Sequence, residues 1–279
     1  MFGVVPKPLW SKRIMPDERN RIPLALRSLL VEHPEGLVLI ETGLGNKEDA
    51  KFLDIYGVEN RGAQGPTQLE DALYDVGVRP EEIKWVINTH LHFDHAGGNT
   101  LLTEQADVVR RGPEGRPSGA PVRLAFPNAT YVVQRGELEF ARHPNERTRA
   151  SYLPANFDPV SAAGRWRLLD GDGELLPGIA VRLTPGHVPY HQSVLVRSGG
   201  ETLIYLGDIT PTSHHLPLPY IMGYDLEPLR TLETKRALLQ EGTRDGWWLF
   251  FGHDVAVIKG RLVTEGREPR LVEVLRTAD

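Results

Sequence analysis

Residues 89–98 read Thr-His-Leu-His-Phe-Asp-His-Ala-Gly-Gly, directly after an apolar run at Lys84–Asn88 that is typical of a β-strand. Within six residues the stretch has four side chains that can bind metals: His90, His92, Asp94 and His95. Alternate residues of an extended segment point the same way, so His90 and His92 are predicted to bind one ion. Asp94 and His95 follow a bend and are predicted to face another ion. A solvated polar loop is the alternative, but the density of donors favours a metal site.

Three further candidate ligands lie much later in the chain, and each follows a glycine at the end of a predicted strand. They are His187 in Thr184-Pro185-Gly186-His187, Asp208 in Leu206-Gly207-Asp208 and His253 in Phe251-Gly252-His253. Glycine lets a backbone approach a buried centre closely, which favours a metal-binding role for all three. Taken singly, each would more often be a structural histidine or a turn aspartate. Imidazole and carboxylate together suit Zn²⁺, Fe or Mn, so the donors alone do not identify the metal.

The composition is that of an ordinary globular protein, because 40% of the 279 residues are hydrophobic and 25% are charged. We expect one domain over residues 1–279. The formal net charge of −5 offers no attraction for a nucleic-acid backbone, and we expect no nucleic-acid partner. The chain has no cysteine, which rules out a thiolate metal site and a cysteine nucleophile.

The sequence does not indicate export or a membrane span. Residues Met1–Trp10 lack the basic and apolar regions of a signal peptide. Apolar runs such as Leu37–Ile40 and Trp247–Phe251 are far shorter than the roughly 20 residues that span a bilayer. We therefore expect a cytoplasmic protein without a membrane partner.

Strand and helix patterns alternate along the chain, which indicates an α/β or α+β class. Hairpins are predicted from Leu24–Val31 with Leu37–Glu41, and from Ser193–Arg197 with Thr202–Leu206 around Gly199-Gly200. Further strands are predicted at Thr130–Gln134, Ile179–Leu183 and Trp247–Phe251, and helices at Lys47–Ile55, Gln68–Val76 and Pro228–Gln240. Residues Arg110–Pro127 are rich in Gly, Pro and Arg without periodicity, and we predict a mobile surface insertion there that could act as a lid.

The His-x-His-x-Asp-His string and the later Gly-His, Gly-Asp and Gly-His pairs resemble the metallo-β-lactamase superfamily over nearly the whole chain. The resemblance implies a four-layer αββα sandwich that binds two divalent metal ions. The implied ligands are His90, His92 and His187 for the first ion, Asp94, His95 and His253 for the second, and Asp208 for both. We expect both ions to be zinc, with Mn, Fe or Co as alternatives.

Within that superfamily, Phe2-Gly3-Val4-Val5-Pro6-Lys7 and Gly207-Asp208-Ile209-Thr210-Pro211 resemble quorum-quenching lactonases of the YtnP-like group. This resemblance implies a metal-dependent hydrolase that opens the ring of an N-acyl homoserine lactone with a hydroxide shared by the two metals. Phe126-Pro127-Asn128-Ala129 also resembles methyl parathion hydrolases, so an organophosphate triesterase or arylesterase is the alternative. The expected partner is a small ester or lactone.

Two residues are candidates for catalytic roles besides metal binding. Asp94 could deliver a proton to the leaving alkoxide. Pro211 stands where some lactonases place a tyrosine near the metals, and His214 or His215 could supply the missing donor, with His215 the preferred candidate. His191 resembles a histidine that orients the metal ligands of this superfamily.

The apolar segment Leu216–Met222 has two interpretations. It follows Asp208 closely and could line a substrate pocket, or it could belong to the core or to the contact of a homodimer. A non-catalytic binding module is also an alternative if the protein holds no metal. Elemental analysis distinguishes that alternative from the enzyme.

Overall fold

The computed structural model describes residues 1–103, 121–265 and 268–277. The chain divides into two units. The central unit is Ser28–Asp170, and the terminal unit combines Met1–Arg27 with Gly171–Asp279. The expectation of one domain over residues 1–279 stays a prediction.

Among the described residues of the central unit, the elements in chain order are β1 (Leu29–Val31), β2 (Leu37–Ile40), α1 (Ala50–Tyr56), α2 (Gln68–Asp75), β3 (Ile83–Ile87), α3 (Phe93–Ala96), β4 (Thr100–Leu102), β5 (Val122–Leu124), β6 (Thr130–Gln134), α4 (Arg135–Arg142), α5 (Asp158–Ala162) and β7 (Trp166–Leu169). Short 3₁₀ turns lie at Pro80–Glu82, Gly97–Asn99 and Pro154–Asn156. The main sheet has the order β1-β2-β3-β6-β7. It is parallel except for the β1–β2 pair.

The core of the central unit lies on this sheet. Leu39, Val86 and Tyr131 come from neighbouring strands, and they pack with Leu73 of α2 and Val160 of α5. Parallel strands buried in this way are apolar almost throughout, as Leu37–Ile40 and Ile83–Ile87 are. Because β2 and β3 are parallel neighbours, the residues that follow them emerge at the same edge of the sheet.

The terminal unit begins with a short helix of four residues, Lys7–Trp10, and its described elements continue with β8 (Gly173–Leu176), β9 (Ile179–Leu183), β10 (Gln192–Ser198), β11 (Glu201–Tyr205), α6 (Pro228–Arg244), β12 (Trp248–Phe250), β13 (Val257–Glu265) and β14 (Glu268–Arg276). The 3₁₀ turns of this unit are Gly207–Ile209 and Ser213–His215. One sheet has the order β14-β13-β12-β11-β10-β9-β8. Its pairs are antiparallel except β11 with β12. Strands β9, β11 and β12 therefore run in the same direction and end at one edge.

The core of the terminal unit lies between the sheet and α6. Leu238 and Leu239 of this helix pack with Ile204 and Leu249 of the sheet, and Leu216 belongs to the same cluster. The core interpretation of the segment Leu216–Met222 therefore holds for Leu216. Among the described residues, no helix is long and apolar enough to cross a membrane.

The first predicted hairpin is shorter than expected. Its first strand begins at Leu29 rather than Leu24, because the backbone N–H groups of Ala25 and Arg27 donate to the carbonyls of His253 and Gly252 instead. The second hairpin, β10 with β11, forms as predicted, and Gly199 and Gly200 turn the chain with φ of +57° and +82°.

The surface insertion predicted over Arg110–Pro127 is only partly within the described residues, because residues 104–120 lie outside them. In residues 121–127 the prediction of an irregular surface segment is wrong. Val122–Leu124 is the strand β5, which pairs with β4, and Phe126 is fully buried in the core of the central unit. Pairing with β4 and burial of Phe126 stabilise this part of the chain despite its weak periodicity.

Candidate metal centre

The first group of predicted ligands lies at the carboxyl end of β3, in the central unit. His90, His92 and His95 are buried, and the Asp94 side chain is 26% exposed. The bend expected between the two pairs is the start of the one-turn helix α3, whose first residue follows His92. The ring centroids of His90 and His92 lie 4.5 Å apart, and those of His90 and His95 lie 4.1 Å apart. The structure thus brings the three imidazoles of this string together.

Two buried carboxylates hold the backbone of this string. Glu41, which follows β2, accepts the N–H of Thr89 at 2.6 Å, and its second oxygen lies 3.3 Å from Nδ1 of His95. Glu137 on α4 accepts the N–H of Leu91 at 2.9 Å and the hydroxyl of Tyr152 at 2.9 Å. Both contacts fix the loop that presents the imidazoles.

Glu41 combines this contact with an unusual backbone. Its φ is +65°, a conformation that costs non-glycine residues free energy and that clusters at functional sites. The sequence analysis did not identify Glu41, although one signal was available. An acidic residue directly follows the apolar strand Leu37–Ile40, which is parallel to the strand that leads to His90.

We expect Glu41→Gln to weaken zinc binding by about 10- to 100-fold, because the amide keeps the acceptor for Thr89 but loses the charge facing His95. Competition with a chromophoric chelator measures the affinity. Glu70→Gln is the matched control, since Glu70 is equally buried in this unit but hydrogen-bonds Thr67 at the start of α2. Wild-type affinity in Glu41→Gln would rule out an orienting role for Glu41.

The second group of predicted ligands lies in the terminal unit, at the common edge where β9, β11 and β12 end. His187, Asp208 and His253 are all buried. Asp208 lies between the two histidines. One carboxylate oxygen is 3.2 Å from Nε2 of His187, and the other is 3.0 Å from Nε2 of His253. The carboxylate therefore presents one oxygen to each imidazole.

The other ring nitrogen of each histidine is also engaged. Nδ1 of His187 lies 2.9 Å from the buried carboxylate of Asp225, and Nδ1 of His253 donates to the carbonyl of Ala25 at 2.8 Å. His191 accepts the backbone N–H of Asp208 on Nε2 at 3.0 Å, and its Nδ1 lies 2.7 Å from the Thr184 hydroxyl. An Nδ1 hydrogen bond fixes the tautomer that leaves Nε2 as a metal donor. Asp225 had no signal in the sequence, whereas His191 lies where an orienting histidine was expected.

These donors fit divalent cations. Two nitrogen or oxygen ligands about 2.1 Å from one zinc ion lie roughly 3.0 to 3.4 Å apart at angles of 90° to 110°. The separations from Asp208 to His187 and to His253 lie in this range. In the central unit, Nδ1 of His90 lies 3.0 Å from the Thr89 hydroxyl, which is again an orienting contact on the same ring nitrogen. Buried imidazoles oriented by their second nitrogen, together with carboxylates, form the ligand set of a metal-dependent enzyme.

His215 is placed differently from the metal ligands. Its ring is buried and stacked on Phe2, with centroids 4.6 Å apart. Nδ1 lies 2.8 Å from the Thr212 hydroxyl, and Nε2 lies 3.4 Å from the carbonyl of Met1. Burial lowers the pKa of His215 to about 3, so the ring is neutral near pH 7. These contacts give His215 a packing role, and its role as a catalytic proton donor stays a prediction.

Comparison with known proteins identifies the family of the chain. The model of the metallo-beta-lactamase superfamily matches residues 23–253. The chain belongs to this superfamily. It therefore has the metallo-β-lactamase fold of mixed sheets and helices, which confirms the α+β class, and the prediction of a metal-dependent hydrolase is confirmed.

Several relatives cover most of the chain. An N-acyl homoserine lactonase of a Bacillus species is 30% identical over 239 residues, which are 83% of this chain and 82% of the relative. A probable metal-dependent hydrolase from Staphylococcus aureus has a solved structure with a TM-score of 0.82 and 30% identity, covering 99% of this chain and 92% of that one. An N-acyl homoserine lactone hydrolase with the product N-hexanoyl-L-homoserine at its catalytic metal centre has a solved structure with a TM-score of 0.61 and 25% identity. The match covers 83% of this chain and 82% of that one.

Proposed function

We propose that the two ligand groups hold a pair of divalent cations. The proposed ligands are His90, His92 and His187 for one ion, Asp94, His95 and His253 for the other, and Asp208 for both. The observation that carries this proposal is the division of the Asp208 carboxylate, with one oxygen facing His187 and the other facing His253. A carboxylate that serves a single ion has no need of a histidine on each oxygen.

We further propose that the substrate is an N-acyl homoserine lactone. Support comes from relatives named as lactonases that match more than four-fifths of this chain, and from a solved relative with a ring-opened product at its metal centre. A pair of divalent cations held by these residues would supply hydroxide near neutral pH and polarise the lactone carbonyl. The function is thus hydrolysis of a lactone to a hydroxy acid.

The proton balance of this reaction needs one water molecule and one group that carries a proton. Hydroxide adds to the carbonyl carbon, and the bond from that carbon to the ring oxygen breaks. The released oxygen needs one proton, which comes from the same water molecule that supplied the hydroxide. Asp94 is the most exposed of the ligands proposed for its ion, and its carboxylate lies 3.8 Å from Nε2 of His95. We propose that Asp94 carries this proton to the leaving oxygen.

Three further properties belong to the proposal. Zinc is the metal we propose, and Mn, Fe or Co are the alternatives because imidazole and carboxylate ligands alone do not identify the metal. A homodimer and a cytoplasmic location stay predictions.

We expect zinc-loaded protein to open N-hexanoyl homoserine lactone with kcat/KM on the order of 10⁴ M⁻¹s⁻¹ or more. Liquid chromatography of the hydroxy acid measures the reaction, and metal-depleted protein is the control. Paraoxon and phenyl acetate, assayed in parallel, test the triesterase and arylesterase alternative. Unopened lactone at micromolar enzyme, with faster hydrolysis of paraoxon or phenyl acetate, would replace the lactonase proposal with that alternative.

A further inference from the structure

A segment of the terminal unit links the ligands His253 and His187, and we call residues 211–226 the strap. At its start, the carbonyl of Pro211 accepts the N–H of His253 at 3.1 Å, and the N–H of Ser213 donates to the carboxylate of Asp254 at 2.9 Å. At its end, the N–H of Leu226 donates to the carbonyl of His187 at 3.0 Å. Both ends of the strap are therefore hydrogen-bonded to the backbone of a proposed ligand, and the first end is also hydrogen-bonded to the side chain that follows His253.

Lys235 on α6 holds the middle of the strap. The side chain is 1% exposed, and its ammonium donates to three backbone carbonyls: His215 at 2.9 Å, Pro217 at 3.1 Å and Tyr220 at 2.9 Å. An ammonium has three N–H groups, so each has an acceptor. Burying a lysine costs free energy. All three N–H groups of Lys235 donate to the strap.

The strap ends at a buried carboxylate that contacts a metal ligand. Asp225 is 4% exposed, and one oxygen lies 2.9 Å from Nδ1 of His187. Burial lowers the pKa of Lys235 to about 8, and the negative charge of Asp225 opposes this shift, so the two groups also attract each other. Lys235 thus acts on Asp225 in two ways, through the backbone of the strap and through charge.

We propose that Lys235 is a positioning residue for the metal ligand His187, acting through the strap and Asp225. Lys235 does not contact His187 itself. It fixes the strap so that Asp225 meets Nδ1 of His187, and its charge stabilises the carboxylate that accepts this hydrogen bond. The inference rests on the metal-binding part of the proposed function and not on the identity of the substrate.

Zinc affinity in chelator competition tests this inference. Lys235→Met and Asp225→Asn are each expected to weaken binding of one ion by about 10- to 100-fold. The double variant is expected to lose no more than the larger single loss, because both changes remove the same orienting contact. Losses that multiply in the double variant would overturn the proposal, and so would wild-type affinity in Lys235→Met.

A spectroscopic measurement separates positioning from general loss of structure. In ¹⁵N-edited NMR of zinc-loaded wild-type protein, the Nδ1–H proton of His187 is expected as a downfield resonance, which Lys235→Met shifts or abolishes. Leu239→Ala is the matched control, since Leu239 is a core residue of the same helix. If Leu239→Ala changes the His187 resonance and the zinc affinity as much as Lys235→Met does, Lys235 has only a structural role.

A second variant covers failure to fold. Should Lys235→Met give no folded protein, Lys235→Gln replaces it, because its amide keeps two donors but removes the charge. The zinc affinity and the His187 resonance of Lys235→Gln then test the positioning role. Wild-type protein that binds two ions but opens no lactone would overturn the proposed substrate and leave this inference standing.

Discussion

Asp208→Asn is expected to lower the metal content from two ions per chain to one or fewer, and to reduce lactone hydrolysis by about 10³-fold or more. The amide keeps the shape of the side chain but offers one oxygen instead of two. Since the two carboxylate oxygens face His187 and His253 separately, one of the two proposed ions loses a ligand. Metal catalysis supplies several kcal/mol of stabilisation, and each 1.4 kcal/mol is a factor of ten in rate.

Mass spectrometry of the metal content and the lactone assay measure the two effects on one preparation. Asp245→Asn is the matched control, because it is the same chemical change in the same unit, at an exposed ion pair with Arg244. Two tightly bound ions in Asp208→Asn would contradict the bridging role, whatever the activity.

Lys47→Met is expected to give the largest loss of stability among single changes near the first ligand group. Lys47 is 2% exposed, and its ammonium donates to the carbonyls of Gly97 and Thr100, just after the His90–His95 string. Methionine fills a similar volume without donors, so two buried carbonyls lose a partner. Each such loss costs about 1 to 3 kcal/mol, so we expect a total of about 2 to 6 kcal/mol in the free energy of unfolding.

The size of this loss is expected to depend on pH in a specific direction. Burial lowers the pKa of Lys47 to about 8, against about 10.4 in an unfolded chain. Below pH 8 the lysine is charged in both states, and its burial penalty is present in full. Between pH 8 and about 10 the folded state loses the proton first, so the unfolded state binds more protons and wild-type stability rises.

Lys47→Met lacks this contribution, and the stability gap between wild type and variant should therefore widen from pH 8 to pH 10. The increase is at most about 3 kcal/mol. Urea unfolding at several pH values measures it, with Lys51→Met on α1, at an exposed position, as control. A gap that is constant or narrows over this range would contradict the assigned role of Lys47.

The candidate metal ligands could be found in the sequence because their signals are local. The string His90–His95 places four donors within six residues, and each later ligand follows a glycine at a strand end. The strands β2 and β3 were predicted from apolar runs, since buried parallel strands are continuous apolar segments, but their parallel pairing was not predicted. Such patterns depend on a few neighbouring residues only.

The supporting carboxylates were not predicted, because their contacts join distant parts of the chain. Glu41 meets Thr89 across 48 residues, Glu137 meets Leu91 across 46, and Asp225 meets His187 across 38. Apart from the strand end that precedes Glu41, no local pattern distinguishes these carboxylates from a solvated surface charge. The hairpin of β13 and β14 was missed for a related reason. Lys259 and Arg261 interrupt its apolar pattern, and both lie over the ring of Trp248.

Diffraction from crystals of zinc-supplemented protein, recorded on both sides of the zinc absorption edge, tests the central claim most directly. We predict two anomalous peaks per chain, both within ligand distance of Asp208, one beside His187 and the other beside His253. A single peak, or peaks away from Asp208, would contradict a shared pair of cations and the catalytic account built on it.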